Sequence, residues 1–152
     1  MMHDCLFCSI VAGLEPASVV YQDEHTIAFM DPRQFHPGHL LVIPKAHVPD
    51  IRSLRAVDAG PLMLLLAAAG RAVDAVFPAD GLSIWHSAGP GANQEVPHLH
   101  FHVHPRVAGD DLLRVYPSSP TEPARAVLDA RAAKIRPFLE KALPEIQMYR
   151  GG

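Results

Sequence analysis

The sequence predicts a single α+β domain with a mainly antiparallel sheet, one long helix and a C-terminal helix. Short β-type segments recur through the first two thirds of the chain, and a long segment with a 3.6-residue apolar period separates two groups of them. The composition agrees, because 152 residues with 49% apolar and 19% charged side chains are enough for one hydrophobic core. Strands are predicted at residues 19–21, 26–30, 39–43, 81–86 and 96–103.

The long helix is predicted over residues 58–77. Asp58 is expected to be its N-cap, Pro61 lies in its first turn, and Pro78 ends it. The apolar positions between them follow the helical period, which predicts one face packed against a core.

The two ends of the chain have weaker signals. Residues 4–12 form a short apolar segment before the first strand. The C-terminal stretch 122–143 is predicted to be helical, with a kink or a break at Pro137, since proline cannot donate to the helical ladder.

Charge and hydropathy exclude several classes of protein. A net charge of −3, with histidines neutral, argues against a long nucleic acid as partner, because that needs a basic face. No apolar run is expected to span a membrane, since the longest, around 61–69, lies between Gly60 and Gly70. The N-terminus lacks the basic start and apolar core of a signal peptide, so a cytoplasmic location is expected. Two cysteines cannot form a disulfide framework.

Histidine is the compositional outlier, with 10 in the chain and four alternating with apolar residues over residues 98–104. In a strand this alternation puts Leu99, Phe101 and Val103 on one face and the four imidazoles on the other. Such a row can contact a phosphate chain or a metal ion. A metal site would need a further ligand, and Glu95 is one residue out of register. A merely polar surface is the third interpretation.

The alternating segment resembles the signature of the histidine-triad (HIT) family, with His98, His100 and His102 at the three histidine positions. The stretch 37–47 is similar to the first half of the same family. The resemblance runs from about residue 5 to residue 106. It implies a HIT domain over residues 1–110, and residues 111–152 are expected to form a helical extension packed on it.

The resemblance implies chemistry at the α-phosphate of a nucleotide, with His100 as the nucleophile. A neutral imidazole would attack phosphorus through one nitrogen while a backbone carbonyl holds the other, giving a nucleotidyl-histidine that water hydrolyses. His102 would donate to a non-bridging oxygen, and Gln94 would hydrogen-bond the phosphate or the bridging atom. The implied enzyme is a nucleotidyl hydrolase acting on phosphoramidates or dinucleoside polyphosphates.

The resemblance also implies where the nucleoside binds. Asp31 would accept from the ribose hydroxyls, and Ser87 stands where many members have an asparagine that binds ribose or phosphate. Asn93 replaces a glycine, and Glu95 replaces a serine that helps protonate the leaving group in the phosphoramidase branch. These departures bear on rate and on leaving-group preference. The base pocket is expected to consist of Leu6, Phe7, Ile10 and Phe29.

Cys5 and Cys8 form a Cys-x-x-Cys motif that alone fits a redox pair or two buried thiols as well as a metal site. With His47 and His98 they make a Cys2His2 set, which suits a closed structural zinc site. Some bacterial members of the family resemble this chain in that set, so structural zinc is expected at these four residues. Of the remaining histidines only His39, in a segment similar to the family, is expected near the site.

Two other functions stay open at the level of sequence. The chain is also compatible with a nucleotide-binding protein that lacks catalysis, which the departures from the family pattern favour. The third possibility is a metallohydrolase with His98, His100 and His102 as ligands. The expected partner is a small nucleotide, and the resemblance implies a homodimer.

Overall fold

The computed structural model describes residues 5–112 and 118–148, and five strands of this part form one sheet. The strands are β1 (Val19–Gln22), β2 (Thr26–Met30), β3 (Leu40–Pro44), β4 (Gly81–Trp85) and β5 (Phe101–Arg106). Their order is β1-β2-β3-β5-β4, and every neighbouring pair is antiparallel. The helices are α1 (Leu6–Val11), α2 (Ala56–Val76) and α3 (Arg125–Met148). The predicted α+β class with an antiparallel sheet is confirmed.

The sheet has a separate hydrophobic cluster on each face, because consecutive side chains of a strand point to opposite sides. On one face α2 covers a cluster that includes Ala28, Leu40, Val42, Leu99 and Val103. On the other face α1 and the residue before it cover a cluster of Cys5, Phe7, Ile27, Phe29, Leu41 and Ile43. His102 pairs directly with Leu41 in the β3–β5 ladder, so its imidazole shares the face of α1.

β5 begins at Phe101, five residues after the predicted start. The β3–β5 register pairs Phe101 with Val42, so a longer ladder would bring Leu99 opposite Pro44. Proline has no N–H to donate, and the N–H of Leu99 instead donates to the carbonyl of Val48 at 2.7 Å. The first two histidines of the row therefore precede the strand, and the last two lie within it.

α2 begins at Ala56, and the prediction of Asp58 as its N-cap is wrong. Arg55 occupies the N-cap without a side-chain cap, and Asp58 lies in the first turn. The Asp58 carboxylate is buried and accepts from Nε of Arg55 at 2.7 Å. A carboxylate in this turn still complements the positive end of the helix dipole.

α2 is long and apolar enough, by length and composition alone, to cross a membrane. This differs from the expectation that the glycines interrupt every apolar run, because the helix continues through both Gly60 and Gly70. A core helix meets the same criteria, and here the buried side of α2 contacts the sheet through Leu62, Leu66 and Val73.

α3 continues past Pro137, so the break predicted there does not form, and Pro144 also lies inside the helix. Near its C-terminal end, Ala142 and Ile146 line a cavity together with Leu54 of the domain. Parts of the expected domain and extension lie outside the described residues: 1–4, 113–117 and 149–152.

Gly38 precedes β3 with φ +104°, and a Cβ there would lie 2.7 Å from Cδ2 of Phe77 and 3.2 Å from Cγ of Pro105. We expect Gly38→Ala to lower the free energy of unfolding by about 2–4 kcal/mol, because it adds backbone strain and steric overlap together. Urea denaturation measures the loss. Gly13→Ala is the control, since Gly13 has φ +72° but no atom of the described part of the chain within 4 Å of its Cβ position. Equal losses in the two variants would contradict the packing argument.

Candidate functional site

The imidazole of His100 is held so that one nitrogen is bound and the other is left unpaired. Its Nδ1–H donates to the carbonyl of His98 at 2.7 Å, and Nε2 has no hydrogen-bond partner among the described residues. Phe7 packs edge-on against the ring, with 5.2 Å between centroids. Burial lowers the pKa of His100, so the ring is neutral at pH 7 and Nε2 has a lone pair available.

Four potential metal ligands lie close together around His98, two residues before His100. Sγ of Cys5, Sγ of Cys8, and one ring nitrogen each of His47 and His98 lie within 4.8 Å of one another. The sulfur–nitrogen distances are 3.2 Å for Cys8–His47, 3.5 Å for Cys5–His98 and 3.6 Å for Cys8–His98. Usual bond lengths place sulfur and nitrogen about 3.6 Å apart around a tetrahedral Zn²⁺. The spacing therefore fits a four-coordinate ion.

The orientation of His98 suits a ligand. Its Nε2–H donates to the carbonyl of Pro44 at 2.8 Å, which leaves the Nδ1 lone pair directed at the thiols. Burial lowers the pKa of His98 to about 4, so the ring is neutral. Burial and the adjacent Cys5 raise the pKa of Cys8 to about 11. A divalent cation bound between these four residues would instead lower the pKa of the thiols.

Buried His39 and partly buried His102 form a pair beside Asp31. The Nδ1–H of His39 donates to the carbonyl of Arg33 at 2.8 Å, so its Nε2 accepts the Nδ1–H of His102 at 2.9 Å. Oδ2 of Asp31 lies 3.7 Å from Nε2 of His39 and 3.8 Å from Nδ1 of His102. Burial, followed by the neighbouring imidazoles, lowers the pKa of His102 to about 3. Its Nε2 therefore carries a lone pair, and it donates only after gaining a proton.

Trp85 belongs to the site, although no pattern in the sequence singles it out. Its ring stacks on that of His102, with 4.5 Å between centroids and 7° between planes. The contact arises because the two residues are direct partners in the β4–β5 ladder. Knowledge of the β4–β5 register would have predicted this contact, but a single sequence does not supply the register of two strands.

Two cavities adjoin these side chains. The apolar cavity, of about 560 Å³, is lined by residues that include Leu6, Phe7, Ile10, Phe29 and Asp31. The histidine cavity, of about 380 Å³, is lined by residues that include His39, Trp85, Ser87, Asn93, His100 and His102. Arg33 and Glu95 line both cavities. The structure thus brings the residues predicted for the nucleoside into one cavity and His100, His102 and Ser87 into the next.

Gln94 lies in the loop beside the histidine cavity, but its side chain is bound to the backbone. Oε1 accepts from the N–H of Gly89 at 2.7 Å, and Nε2 donates to the carbonyls of Pro49 and Val96 at 2.7 and 3.1 Å. These bonds use both amide donors and hold the loop against the segment after β3. A contact between Gln94 and phosphate stays a prediction.

Comparisons with known proteins agree with this geometry. The HIT domain family model matches residues 13–109. A HIT family protein from Bacillus anthracis str. 'Ames Ancestor' is 35% identical, with a TM-score of 0.82 over 88% of this chain and 96% of that one. A Zn-bound histidine triad family protein from Mycobacterium smegmatis is 34% identical, with a TM-score of 0.67 over 90% and 99%. The adenylylsulfatase HINT3 of Arabidopsis thaliana is 27% identical over 112 residues, 74% of this chain and 57% of that protein.

The hydrogen bonds of Gln94 generate a stability prediction. Gln94→Glu would place a carboxylate oxygen against two carbonyls, so we expect the free energy of unfolding to fall by about 1–3 kcal/mol. Urea denaturation measures this, and hydrogen exchange at the Gly89 amide reports on the loop. Asn93→Asp is the matched control, because it converts an amide to a carboxylate at the adjacent position, where the side chain is exposed. A loss no larger than that of the control would contradict a structural role for Gln94.

Proposed function

We propose, from the premise that this chain belongs to the HIT-domain family, that it acts at the α-phosphate of nucleoside phosphate conjugates through a covalent nucleotidyl-His100 intermediate. The enzyme is a nucleotidyl hydrolase or transferase, and its substrates are phosphoramidates or dinucleoside polyphosphates. The observation that carries the proposal is the unpaired Nε2 of neutral His100 in the histidine cavity.

The apolar cavity supports binding of the nucleoside. In the proposal Leu6, Phe7 and Phe29 contact the base, and Asp31 accepts from the ribose hydroxyls. Phe7 and Phe29 already pack edge to face, with 5.5 Å between centroids, so one wall is rigid. Asp31 is held by the N–H of Arg33, which donates to Oδ1 at 2.8 Å. Its other oxygen remains available to a hydroxyl.

The reaction follows from the tautomer of His100. Nε2 uses its lone pair to form a bond to phosphorus, and the bond to the leaving group breaks, with the leaving group taking the electron pair and then a proton from solvent. The substituted ring keeps its Nδ1–H and becomes cationic, so the carbonyl of His98 stabilises it. Water then attacks phosphorus and loses a proton to solvent, while the P–N bond breaks and its electron pair returns to Nε2 of His100. Ser87 donates to a non-bridging oxygen, and His102 does so from Nε2 after it takes up a proton from solvent, which the negative charge of the bound phosphate favours. Gln94 contacts the phosphate in the substrate complex by giving up one of its backbone partners.

A nucleotide-binding protein without catalysis is the second candidate. The specific observation in its favour is the engagement of Gln94 by three backbone groups, which withholds that amide from phosphate. A metallohydrolase is less well supported, because the rings of His98 and His100 are directed to different partners. Asp31, His39 and His102 are close enough to share an ion, but one hydrogen bond already joins the two imidazoles.

We also propose structural zinc at Cys5, Cys8, His47 and His98. The sulfur–nitrogen distances and the tautomer of His98 support it, as does the zinc in the related mycobacterial protein. Two thiolates and two imidazoles leave no open position, so this ion would hold α1 to the sheet and would not activate water.

The surroundings of the site support three further proposals. A homodimer is supported by exposed Met63 and Leu64 on α2, which are 64% and 75% exposed. A small nucleotide is the partner, and the cytoplasm is the proposed location. The HIT domain is proposed to end near residue 110, before the extension that contains α3.

Replacing the nucleophile tests the reaction. We expect His100→Asn to lower turnover of a nucleoside phosphoramidate by about 10³-fold or more, while AMP still binds, because only the attacking nitrogen is lost. Rapid quench followed by intact-protein mass spectrometry detects the nucleotidyl adduct in the wild type. His25→Asn is the control, because His25 lies in the turn between β1 and β2 and its ring approaches Asp58 of α2, outside both cavities. The proposal is contradicted if His100→Asn turns over the substrate as fast as the wild type does. If the wild type binds nucleotide without turnover, the second candidate is favoured.

Elemental analysis tests the zinc site. We expect about one zinc per chain in the wild type and in His100→Asn, and far less in Cys8→Ser, because a closed site needs all four ligands. Chelation should lower the free energy of unfolding by about 3 kcal/mol or more, as expected for a ligand present at 100 times its Kd. Loss of zinc from His100→Asn but not from Cys8→Ser would instead favour the metallohydrolase.

A further inference from the structure

Arg33 and Glu95 join the two cavities of the site. Nη1 of Arg33 donates to both carboxylate oxygens of Glu95, at 3.1 and 3.0 Å. Both residues line the apolar cavity and the histidine cavity. The ion pair therefore lies where a nucleoside and its phosphate would meet, and we call this pair of residues the clasp.

The backbone of Arg33 is fixed, whereas the clasp itself is exposed. The N–H of Arg33 donates to Asp31, and its carbonyl accepts from His39. The side chains of Arg33 and Glu95 are each 67% exposed. An exposed ion pair is screened by water and contributes little to stability, so the guanidinium can exchange one anion for another without disturbing the fold.

The charges around the cavities favour one phosphate over several. In the described part of the chain, the Asp, Glu, Lys and Arg residues that line the two cavities are Asp31, Arg33 and Glu95. With neutral imidazoles these give one positive and two negative charges. A single phosphate beside His100 has one guanidinium within the same cavity. A second phosphate would meet no further cation and one carboxylate.

We propose that the clasp determines leaving-group specificity: Arg33 leaves Glu95 to bind the α-phosphate, and the released carboxylate repels leaving groups that carry further phosphates. This inference rests on the proposed function, because it assigns the substrate class of the same site. A guanidinium binds phosphate strongly through its fixed N–H donors, and Nη1, which now donates to both oxygens of Glu95, would turn to the phosphate instead. The favoured substrates are nucleoside monophosphates joined to neutral or cationic groups, and nucleoside polyphosphates are disfavoured.

The test compares the affinities of AMP and ADP, measured by calorimetry without magnesium and at low salt. We expect ADP to bind the wild type about threefold or more weakly than AMP. Glu95→Gln should abolish this difference. Glu24→Gln should retain it, since Glu24 is an exposed residue outside both cavities and loses the same charge. Arg33→Gln should weaken the binding of AMP about fivefold, because the phosphate then lacks the guanidinium that binds it.

Three results would overturn the proposal that the clasp determines leaving-group specificity. They are tighter binding of ADP than of AMP by the wild type, an ADP-to-AMP ratio that Glu95→Gln leaves unchanged, and an unchanged affinity for AMP in Arg33→Gln. None of these depends on turnover. The proposed reaction fails separately if the wild type binds AMP with the expected ratio but forms no nucleotidyl adduct, and both proposals fail if no nucleotide binds.

Discussion

The hydrogen bond from Nδ1–H of His100 to the carbonyl of His98 is the contact on which the site depends. It selects the tautomer whose lone pair is on Nε2, and it fixes the plane of the ring. The carbonyl of His98 is available because the chain joins the β3–β5 ladder only at Phe101. This arrangement is stabilised on both sides: His98 donates to Pro44, and Leu99 donates to Val48. An irregular five-residue segment, rather than a strand, thus positions the proposed nucleophile.

The same device recurs in the surrounding imidazoles. The Nδ1–H groups of His39, His86 and His104 donate to the carbonyls of Arg33, His100 and Pro105. In the neutral form of each ring these hydrogen bonds place the lone pair on Nε2. In His104 the lone pair is buried and has no partner within residues 5–112 and 118–148. The backbone, more than any acidic side chain, sets where protons reside in this site.

Local pattern was sufficient for part of this arrangement. Leu99 and Val103 could be assigned to the core face because alternation is a property of neighbouring residues. The start of β5 could not, since it depends on a proline in another strand. Trp85 and Arg33 were missed for a related reason: one reaches His102 through strand pairing, and the other reaches Glu95 across 62 residues of sequence. The four residues of the proposed zinc site were grouped through resemblance to a family, which carries long-range information, and the structure brings their ligand atoms within 4.8 Å of one another.

α1 lies outside the segment that the family model matches, residues 13–109, yet it forms one side of the site. It supplies Phe7 to the wall beside His100 and places Cys5 and Cys8 next to His98. A fragment cut at the family boundary would retain every histidine of the row and lose these contacts. For protein engineering, the smallest unit worth transplanting or crystallising therefore begins upstream of the conventional domain limit, with the sulfur-bearing turn included.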